Sequence, residues 1–590
     1  MAEFSNPNQQ GGQDSSSMMT LVIILLAVFL GVNYYHSKTT PPPSSSTQQT
    51  TQQPAQPTPS LASAPQTAAT QSTAPAVQAA AEQTTVVEND LYRITFSNRG
   101  AEVTSWILKQ FKDLDGKPLD IIHQQAAAQY GYPLSLTTTD GSVAGTLNQA
   151  LFLPSQTGQL SAPATLTFQY SSGNLVATKT FTFDASYVLH ASVSVTRAGV
   201  PVPALISWPG GFGDQNETPN QTAYTSSQFD QYRNGAFDHI DAKKVSGNSL
   251  SGPFDFAGVA DPFFAAIFLP DTPATATVIT QNNSLDVSKT IKRVGFGSNE
   301  PATKALMEPI VGAALGNVNG PTETRIFVGP KAISVLKSVH ATDSRISLEP
   351  VLEFGFWSYI SKFLFLSLQF IHSHIVSNWG WSIVILTVVI NLLMLPFRIK
   401  TMHSALQMQR IQPQMDAIKE KYKKLKVTDP KRNEMNAEIM KLQSDNGVNM
   451  FGGCIPTLIT MPLMIAFFYM LPKVVELRHA HWFWLPDLQA PDPYHILPIL
   501  MIVSMFLVQY YTPSPGVDPS QQRMMAFMMP AFSGYMTWNY ASGLALYWSV
   551  GNLISILQQQ VMNRTSLGRE MREVAAKRAR RKATTIQGRK

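Results

Sequence analysis

The sequence predicts a membrane protein with six membrane-spanning helices, five of them in one bundle, plus an all-β sandwich domain and a helical hairpin outside the membrane. The first observation is a shortage of charge: Asp, Glu, Lys and Arg make up 14% of 590 residues, whereas soluble domains carry about 25%. The second is a series of uncharged apolar runs after residue 378, and the third is apolar–polar alternation throughout 85–345. Together they argue against an ordinary cytosolic globular protein.

The chain begins with a short polar segment, 1–17, followed by the apolar run 18–35, which is just long enough for one membrane crossing. A cleaved signal peptide needs a basic segment before its apolar run, but only Glu3 and Asp14 are charged there. We therefore expect an uncleaved anchor. Residues 36–84 follow, and their Pro, Ser, Thr, Gln and Ala composition predicts a disordered tether.

Residues 85–345 predict a large sandwich of short strands. Alternation is clear in 91–96, 164–170 and 274–280, and Gly-containing turn signals separate the strands. The glycine-rich segment 210–214 favours a surface loop over a phosphate-binding loop, because Walker A, G-x-S-x-G and H-E-x-x-H motifs are absent from the sequence. The single cysteine excludes disulfides within the chain and Cys-rich metal sites.

The composition changes near residue 354, where aromatic and aliphatic residues begin to dominate. In 354–376 they recur at helical spacing, interrupted by Lys362, and predict an amphipathic helix that lies at the membrane interface. A break at Asn378-Trp379-Gly380 follows. The run 378–397 contains no charged residue and predicts the second span.

Residues 398–446 predict a helical hairpin. Apolar residues recur at spacings of three and four, the heptad pattern of helices that pack side by side. The residues of this seam are Met408, Ile411, Met415, Ile418, Tyr422 and Leu425, and then Met435, Ile439 and Leu442. Proline suits the first turn of a helix, so the second helix should begin at Pro430. The hairpin is either a solvated helical loop or a docking arm for an acidic partner.

Four more apolar runs predict the third to sixth spans, and a basic tail closes the chain. The spans are 451–471, 496–511, 524–538 and 543–560, and the tail is 562–590. The fifth and sixth spans are short and only a few residues separate them, so we expect a tight helical hairpin there.

The distribution of basic residues sets the orientation. Residues 1–396 hold 20 Lys and Arg against 26 Asp and Glu, whereas 397–590 hold 24 against 12. The segments 398–446 and 562–590 are the most basic, so both should be cytoplasmic. Counting back through six spans places the N-terminus in the cytoplasm and the domain 85–345 on the opposite side.

The spans carry polar residues at membrane depth. Thr387 and Asn391 are four residues apart in the second span and therefore share a helix face. Further examples are Thr457, Thr460, Gln509, Tyr510, Ser533, Tyr535, Thr537, Ser549, Asn552 and Ser555. Two interpretations stay open: these groups bond helices together, or as a set they line a hydrated groove. The lack of Asp, Glu, Lys, Arg and His at mid-depth argues against a proton pump or ion-coupled transporter.

Methionine is frequent in and beside the spans. The chain has 23 Met, and flexible, polarisable side chains of this kind can line a groove that accepts many different apolar sequences. Met is also an ordinary filler of membrane cores. Both interpretations stay open.

At these residues the chain resembles the YidC-type membrane protein insertase family. The resemblance is carried by GGCIPTLITMPLMIAFFYML (452–471), VELRHAHWFWLPDLQAPDPYHILPILM (475–501) and SGLALYWSVGNLISILQQQ (542–560). NDLYRITFSNRGAEVTSWIL (89–108) is similar to the start of the family's periplasmic domain, and a long β-domain after the first span is typical of Gram-negative members.

The resemblance implies a protein of the bacterial inner membrane that inserts and folds nascent membrane proteins, alone or beside the Sec translocon, without enzymatic activity or cofactor. It also implies a hydrophilic groove open to the cytoplasm and the lipid. By position, the residues that line this groove or the substrate path are Thr387, Met464, Met501, Met536 and Trp548, with Tyr547 beside them.

One position departs from the family pattern. The family's groove carries a basic residue one helical turn after the threonine, and here that residue is Asn391. Arg398 and Lys400, at the cytoplasmic mouth, are the alternative source of positive charge. We expect the polarity of the groove, rather than one fixed charge, to carry insertion.

Other functions and partners were weighed against the insertase. An assembly scaffold would hold partner spans without inserting them, and an intramembrane enzyme is disfavoured because the spans hold no nucleophile–base pair or metal cluster. The tail contains KRARRK (577–582), so it binds the ribosome or another polyanion, with the helical hairpin as a second contact, or it acts only as a positive-inside anchor. The lipid bilayer is the remaining partner.

Overall fold

The computed structural model describes most of the chain after the tether. The described residues are 75–113, 115–213, 227–286, 307–422, 429–448, 455–511 and 519–587. The N-terminal segment 1–17, the anchor 18–35 and the tether as far as residue 74 lie outside the described residues, as do the first residues of the third span, 451–454.

The N-terminal half of the described chain is a large β-sheet domain. Its strands are β1 (Thr84–Glu88), β2 (Tyr92–Ser97), β3 (Glu102–Lys112), β4 (Pro118–Asp120), β5 (Ser135–Thr138), β6 (Leu153–Pro154), β7 (Gly158–Ser161), β8 (Ala164–Ser172), β9 (Leu175–Phe183), β10 (Val188–Arg197), β11 (Val200–Pro201), β12 (Ala204–Trp208), β13 (Gln228–Arg233), β14 (Ala236–Asp241), β15 (Ser249–Ser251), β16 (Phe254–Ala260), β17 (Phe264–Pro270), β18 (Ala276–Asp286), β19 (Met307–Asn317) and β20 (Thr322–Pro330). Three short helices join them: α1 (Gln124–Tyr130), α2 (Gly141–Gln149) and α3 (Ile333–Ser338).

The described strands form three sheets rather than the two layers of a simple sandwich. A ten-stranded sheet has the order β14-β13-β16-β17-β20-β10-β9-β8-β6, with β11 paired to β10. Two five-stranded sheets accompany it, β4-β3-β2-β1-β7 and β15-β18-β19-β12-β5. Phe96 on β2 contacts Phe168, Phe181 and Phe183 of the long sheet at ring-centroid distances of 5.3–5.9 Å.

The predicted alternation is confirmed where one face of a strand packs inward. In β9, buried side chains alternate with more exposed ones along the whole strand, and β10 shows the same pattern. The two strands pair antiparallel, with Leu189 opposite Phe183. By contrast, β17 is buried on both faces because it lies inside the ten-stranded sheet and both faces are covered.

The C-terminal half of the described chain is helical. Its helices are α4 (Ser358–His374), α5 (Trp379–Leu393), α6 (Leu395–Lys421), α7 (Lys431–Asp445), α8 (Ile455–Met470), α9 (Ile496–Tyr511), α10 (Pro519–Trp538), α11 (Ser542–Arg564) and α12 (Ser566–Gln587). In the described residues, only α5 and α6 taken together are long and apolar enough to cross a membrane by length and composition, and they are bent by 47°. No described helix meets that test alone.

The bend lies inside the segment 378–397, which the sequence predicted as one continuous span. Helix α5 ends at Leu393 and α6 begins at Leu395, so the last residues of that segment belong to the following helix. Pro396 stands in the first turn of α6, where a proline fits because its missing N–H has no helical partner to lose. The break therefore has a local cause.

Helices α6 and α7 pack as the antiparallel hairpin that the heptad pattern predicted. Ile411 and Met415 are buried against Val448, with Ile439 and Leu442 beside them. Near the far end, Tyr422 donates a hydrogen bond to Glu438 over 2.8 Å. The register follows from apolar residues at three- and four-residue spacing, which place one stripe on each helix.

The basic tail forms a helix that packs back onto α6. Met571 of α12 is buried with Met402 and Leu406 of α6, and Arg410 forms an ion pair with Glu570. The sequence had predicted a basic tail at 562–590 without assigning it a structure. The apolar residues of the tail are too widely spaced to predict this contact. It depends on the position at which α11 ends and α12 begins.

Candidate functional site

The polar pair predicted on the second span lies in α5, and both of its side chains bond to their own helix. Thr387 is fully buried and its Oγ1 donates to the carbonyl oxygen of Ile383 over 2.7 Å. Asn391 is 8% exposed and its Nδ2 donates to the carbonyl oxygen of Thr387 over 2.8 Å. Such bonds to the preceding helical turn satisfy the donors in an apolar setting. They leave Asn391 Oδ1 available as an acceptor.

That acceptor is used by Arg398, from the first turn of α6. Its Nη2 lies 3.2 Å from Asn391 Oδ1 and 2.9 Å from Ser555 Oγ of α11. The bend between α5 and α6 makes this possible, because it lets Arg398, seven residues along, reach back to Asn391. Ser555 donates its own proton to the carbonyl oxygen of Gly551 over 2.7 Å, which leaves its oxygen free to accept.

Arg398 is half-buried, and no carboxylate of the described residues forms a salt bridge with it. A guanidinium carries five N–H donors in a planar fork, and the two bonds above both involve Nη2. The group therefore keeps both charge and hydrogen-bonding capacity at the end of α5 where α6 and α11 meet.

Helix α11 extends the polar surface along α5 and α9. Ser549, Asn552, Ser555 and Gln558 occur every third residue, and Gln558 Nε2 donates to the carbonyl oxygen of Asn391 over 3.2 Å. Asn552 Nδ2 donates to Ser504 Oγ of α9 over 3.2 Å. Gln558 and Ser504 were not among the site residues predicted from sequence. The three-residue spacing along α11 is the signal that could have identified Gln558.

Helix α11 packs beside α5 at Gly551. A Cβ atom at Gly551 would lie 3.8 Å from Thr387 Cγ2 and 4.0 Å from Asn391 Nδ2, which is ordinary contact. An alanine would therefore fit, and a larger side chain would push the helices apart. We name the set Thr387, Asn391, Arg398, Ser555 and Gln558 the polar seam, because it lines the boundary between α5 and α11.

The predicted methionines do not gather around the seam. Met501 on α9 is 1% exposed and its sulfur accepts from Thr537 Oγ1 at 3.8 Å, whereas Met464 and Met536 are 38% and 39% exposed. Tyr547 stacks on Phe467 with ring centroids 4.1 Å apart, and Trp548 beside it is half-buried. Met501 is therefore part of a buried contact between helices, whereas Met464 and Met536 lie at two separate positions on the surface.

The sequence places Arg398 and Lys400 together as basic residues at the cytoplasmic opening of the groove. In the structure they differ in exposure and in the side of α6 on which they lie. Lys400 is exposed and two residues along, so it points to another side of α6. Only Arg398 joins the seam. Among the described residues there is also no group of three or more His, Cys, Asp or Glu that could hold a metal ion.

Comparison with known proteins identifies the family. Residues 84–367 match the family model of the YidC periplasmic domain, and residues 370–569 match that of the 60Kd inner membrane protein. The chain is 33% identical over 513 residues to the membrane protein insertase YidC of Ralstonia nicotianae, a match covering 85% of this chain and 86% of that one. The YidC insertase of Bordetella avium is 29% identical over 509 residues, covering 84% and 85%.

A solved structure of an active YidC insertase, with its first transmembrane domain resolved, is 16% identical and covers 84% of this chain and 96% of that one, with a TM-score of 0.32. A TM-score this low adds nothing to the assignment, so membership follows from the two family models and from the sequence identity over most of the chain. The chain belongs to the YidC membrane protein insertase family.

Proposed function

We propose that this inner membrane protein inserts nascent membrane proteins along the polar seam, alone or beside the Sec translocon. The observation that carries the proposal is the position of Arg398, a half-buried cation held by Asn391 and Ser555 between three helices. The family supplies the general activity and the periplasmic location of the β-sheet domain. What we propose beyond the family is which residues of this chain carry out insertion.

The polar seam can lower the main free-energy cost of insertion, which is the transfer of polar groups into hydrocarbon. A substrate segment that passes through the bilayer carries polar groups across about 30 Å of hydrocarbon, where each unsatisfied group costs several kcal/mol. Hydroxyl, amide and guanidinium groups along the boundary between α5 and α11 can bond those groups and hold water. No covalent step and no cofactor are needed.

The hydrogen bond from Arg398 to Asn391 also suggests what an asparagine does at the position where the family has a basic residue. Asn391 stands where the family has a basic residue, and its Oδ1 holds the guanidinium of Arg398 at 3.2 Å. We infer that the amide is a positioning residue and that the positive charge comes from the next helix. This proposal replaces the expectation that groove polarity, rather than one fixed charge, carries insertion, and takes up the alternative in which Arg398 supplies the positive charge.

The finer topology is part of the same proposal. We infer six spans with the boundaries given above, an interfacial helix at 354–376, and a cytoplasmic hairpin and tail. The hairpin of α6 and α7, with α12 packed on α6, would bring the basic residues of both segments to one side. That surface is the proposed ribosome contact, and the bilayer is the proposed environment of the apolar helix faces.

Reconstituted vesicles test the seam directly. Purified full-length protein is incorporated into vesicles, and the insertion rate of a small two-span substrate is measured with either an acidic or a neutral translocated segment. Arg398→Gln should slow insertion of the acidic substrate by about tenfold, the equivalent of about 1.4 kcal/mol, and affect the neutral substrate less. Lys400→Gln is the matched control and should behave like wild type.

Two further variants and two contrary outcomes complete the experiment. Asn391→Leu should slow the acidic substrate by less than Arg398→Gln, because the guanidinium remains but loses its position. Asn391→Asp should neutralise the cation and match Arg398→Gln. Equal effects of Lys400→Gln and Arg398→Gln would contradict the role of the seam. Substrate binding without insertion by the wild-type protein would favour an assembly scaffold.

A further inference from the structure

The segment between α8 and α9, residues 471–495, has two faces of opposite character. Its two basic residues, other than histidine, bond on the side of the β-sheet domain: Lys473 Nζ donates to the carbonyl oxygen of Glu353 over 2.9 Å, and Arg478 Nη1 to that of Lys112 over 2.7 Å. The Arg478 guanidinium also lies over the rings of Phe263 and Phe264, 5.8 and 5.6 Å from their centroids. Because the β-sheet domain is periplasmic, this segment lies on the periplasmic side.

The other face is uncharged and aromatic. Residues 480–486, AHWFWLP, contain no Asp, Glu, Lys or Arg. Trp482 and Leu485 exchange backbone hydrogen bonds of 2.9 and 2.8 Å, so Phe483 and Trp484 form the two-residue tip of a tight turn. We name Trp482, Phe483 and Trp484, together with Trp381 of α5, the aromatic tip.

The aromatic tip is held against the start of α5. Trp381 lies 5.9 Å from Trp482 and 5.7 Å from Phe483 between ring centroids, and Asn378 Nδ2 donates to the carbonyl oxygen of His481 over 3.0 Å. Gly380 makes the contact possible, because a Cβ atom there would lie 2.3 Å from Trp482 ring atoms. The tip therefore has a fixed position relative to the apolar helix.

Phe483 occupies a conformation that its side chain disfavours. Its φ is +47°, in the left-handed region, at the first position of a turn where glycine is the usual residue. A bulky residue in this region costs about 1 kcal/mol or more. The residue is nevertheless 60% exposed, so burial within the protein does not offset this cost.

We propose that the aromatic tip inserts into the headgroup–acyl boundary of the outer leaflet and fixes the periplasmic domain at the membrane surface. Three observations carry this: the exposed rings of Phe483 and Trp381 are next to the apolar helix α5, the basic residues Lys473 and Arg478 of the same segment bond on the side of the β-sheet domain, and Phe483 is exposed at a strained turn position. Indole and phenyl rings favour this boundary. The segment then ties the domain to the bilayer by Arg478 on one face and Phe483 on the other.

Depth measurements on the full chain test the proposal. Cys454, the single cysteine, is replaced by alanine, and a nitroxide is attached at Phe483→Cys in vesicles of phosphatidylethanolamine and phosphatidylglycerol. The ratio of oxygen to nickel-chelate accessibility measures depth. Leu392→Cys, on the exposed face of α5, is the lipid reference, and Val200→Cys, exposed on the β-sheet domain, is the water reference.

The ratio at 483 should lie severalfold above that at 200 and below that at 392. A ratio equal to that at 200 would place the tip in water and overturn the proposal. Low accessibility to both oxygen and nickel would show a protein partner over the tip and would overturn it as well. Thermal unfolding of each labelled protein checks that the label leaves the fold intact, and a second label at Trp484→Cys repeats the measurement.

Discussion

The β-sheet domain and the helical region bury polar groups in different ways. In the β-sheet domain, Lys179 is fully buried and its Nζ donates to the carbonyl oxygens of Gly100, Ala101 and Leu134 over 2.6–3.2 Å. In the helical region, several buried hydroxyl and amide groups bond to their own helix, as Thr387 does to Ile383 and Asn391 to Thr387. A water-soluble domain can close a network around a charge, whereas a span must satisfy its groups locally.

The β-sheet domain and the helical region also differ in how much apolar surface they expose. Large apolar residues that are exposed on the β-sheet domain are scattered, such as Leu153 and Val200, whereas those of the helical region are numerous and lie on most of its helices. Examples are Phe363, Phe370, Leu393, Ile499, Phe527, Tyr535 and Leu557. Contiguous apolar surface of this kind indicates a lipid or protein partner. Arg398 departs from both patterns, since it is a half-buried cation between α5 and α11.

The largest expected effect on folding tests the charge network of the β-sheet domain. Lys179→Met removes the ammonium from three carbonyl oxygens and leaves Glu102 without its neighbouring cation, so the free energy of unfolding should fall by about 3–5 kcal/mol. Denaturant unfolding of the full chain, followed by tryptophan fluorescence, measures it. Lys243→Met, at an exposed lysine of the same domain, is the control and should be near neutral. A tolerated Lys179→Met would mean that this core does not depend on its buried charge.

The next effect is a pH dependence confined to the β-sheet domain. Burial alone would lower the pKa of His239, but the hydrogen bond to Asp230 and the nearby charges of Asp241 and Glu353 outweigh it and raise the pKa to about 9. A raised pKa stabilises the fold fully below the unfolded value of 6.5, and that contribution is lost as the pH rises through about 9.

Wild type should therefore lose of order 2 kcal/mol more than His239→Gln between pH 7 and pH 10. The difference between the two proteins isolates His239 from the buried lysines that titrate in the same range. His340→Gln, at an exposed histidine, should leave the wild-type profile unchanged. Parallel profiles for wild type and His239→Gln would show that the carboxylates around His239 do not hold its proton.

A smaller effect tests how the segment 471–495 packs on α5 within the helical region. Gly380→Ala places a methyl group 2.3 Å from ring atoms of Trp482, so Trp482 must move, and the free energy of unfolding should fall by about 1–3 kcal/mol. The matched control is Gly145→Ala in α2, where no atom lies within 4 Å of the added Cβ and where alanine gains about 1 kcal/mol from helix propensity. Stabilisation by both substitutions would show that the contact between Trp482 and α5 is loose.

The smallest effect concerns the exposed ion pair of the α6–α7 hairpin. Lys421 Nζ lies 2.9 Å from Glu438 Oε1, and both side chains are substantially exposed. Solvent-exposed pairs contribute little to stability because water and salt screen them, so Lys421→Gln should change the melting temperature very little, and less at high salt. A loss comparable to that of Lys179→Met would contradict the contrast between buried and exposed charges.

The sequence alone predicted a β-sheet region followed by a helical region, several of their elements, and the family that the chain resembles. Apolar alternation predicted β9 and β10, heptad spacing predicted the pairing of α6 with α7, and four-residue spacing placed Thr387 and Asn391 on one face. These features are local: hydrogen bonds and burial within one element follow a period that the residues display directly.

Tertiary structure alone decided which surfaces meet. Periodicity shows that a face is buried but does not name its partner, so the three sheets and the parallel pairing of β1 with β7 were not predictable. Arg398 reaches Ser555, 157 residues away, only because α5 bends before α6 and α11 passes beside both. Trp482 packs on Gly380, a contact between segments about a hundred residues apart that no local pattern encodes, and Phe483 beside it is exposed.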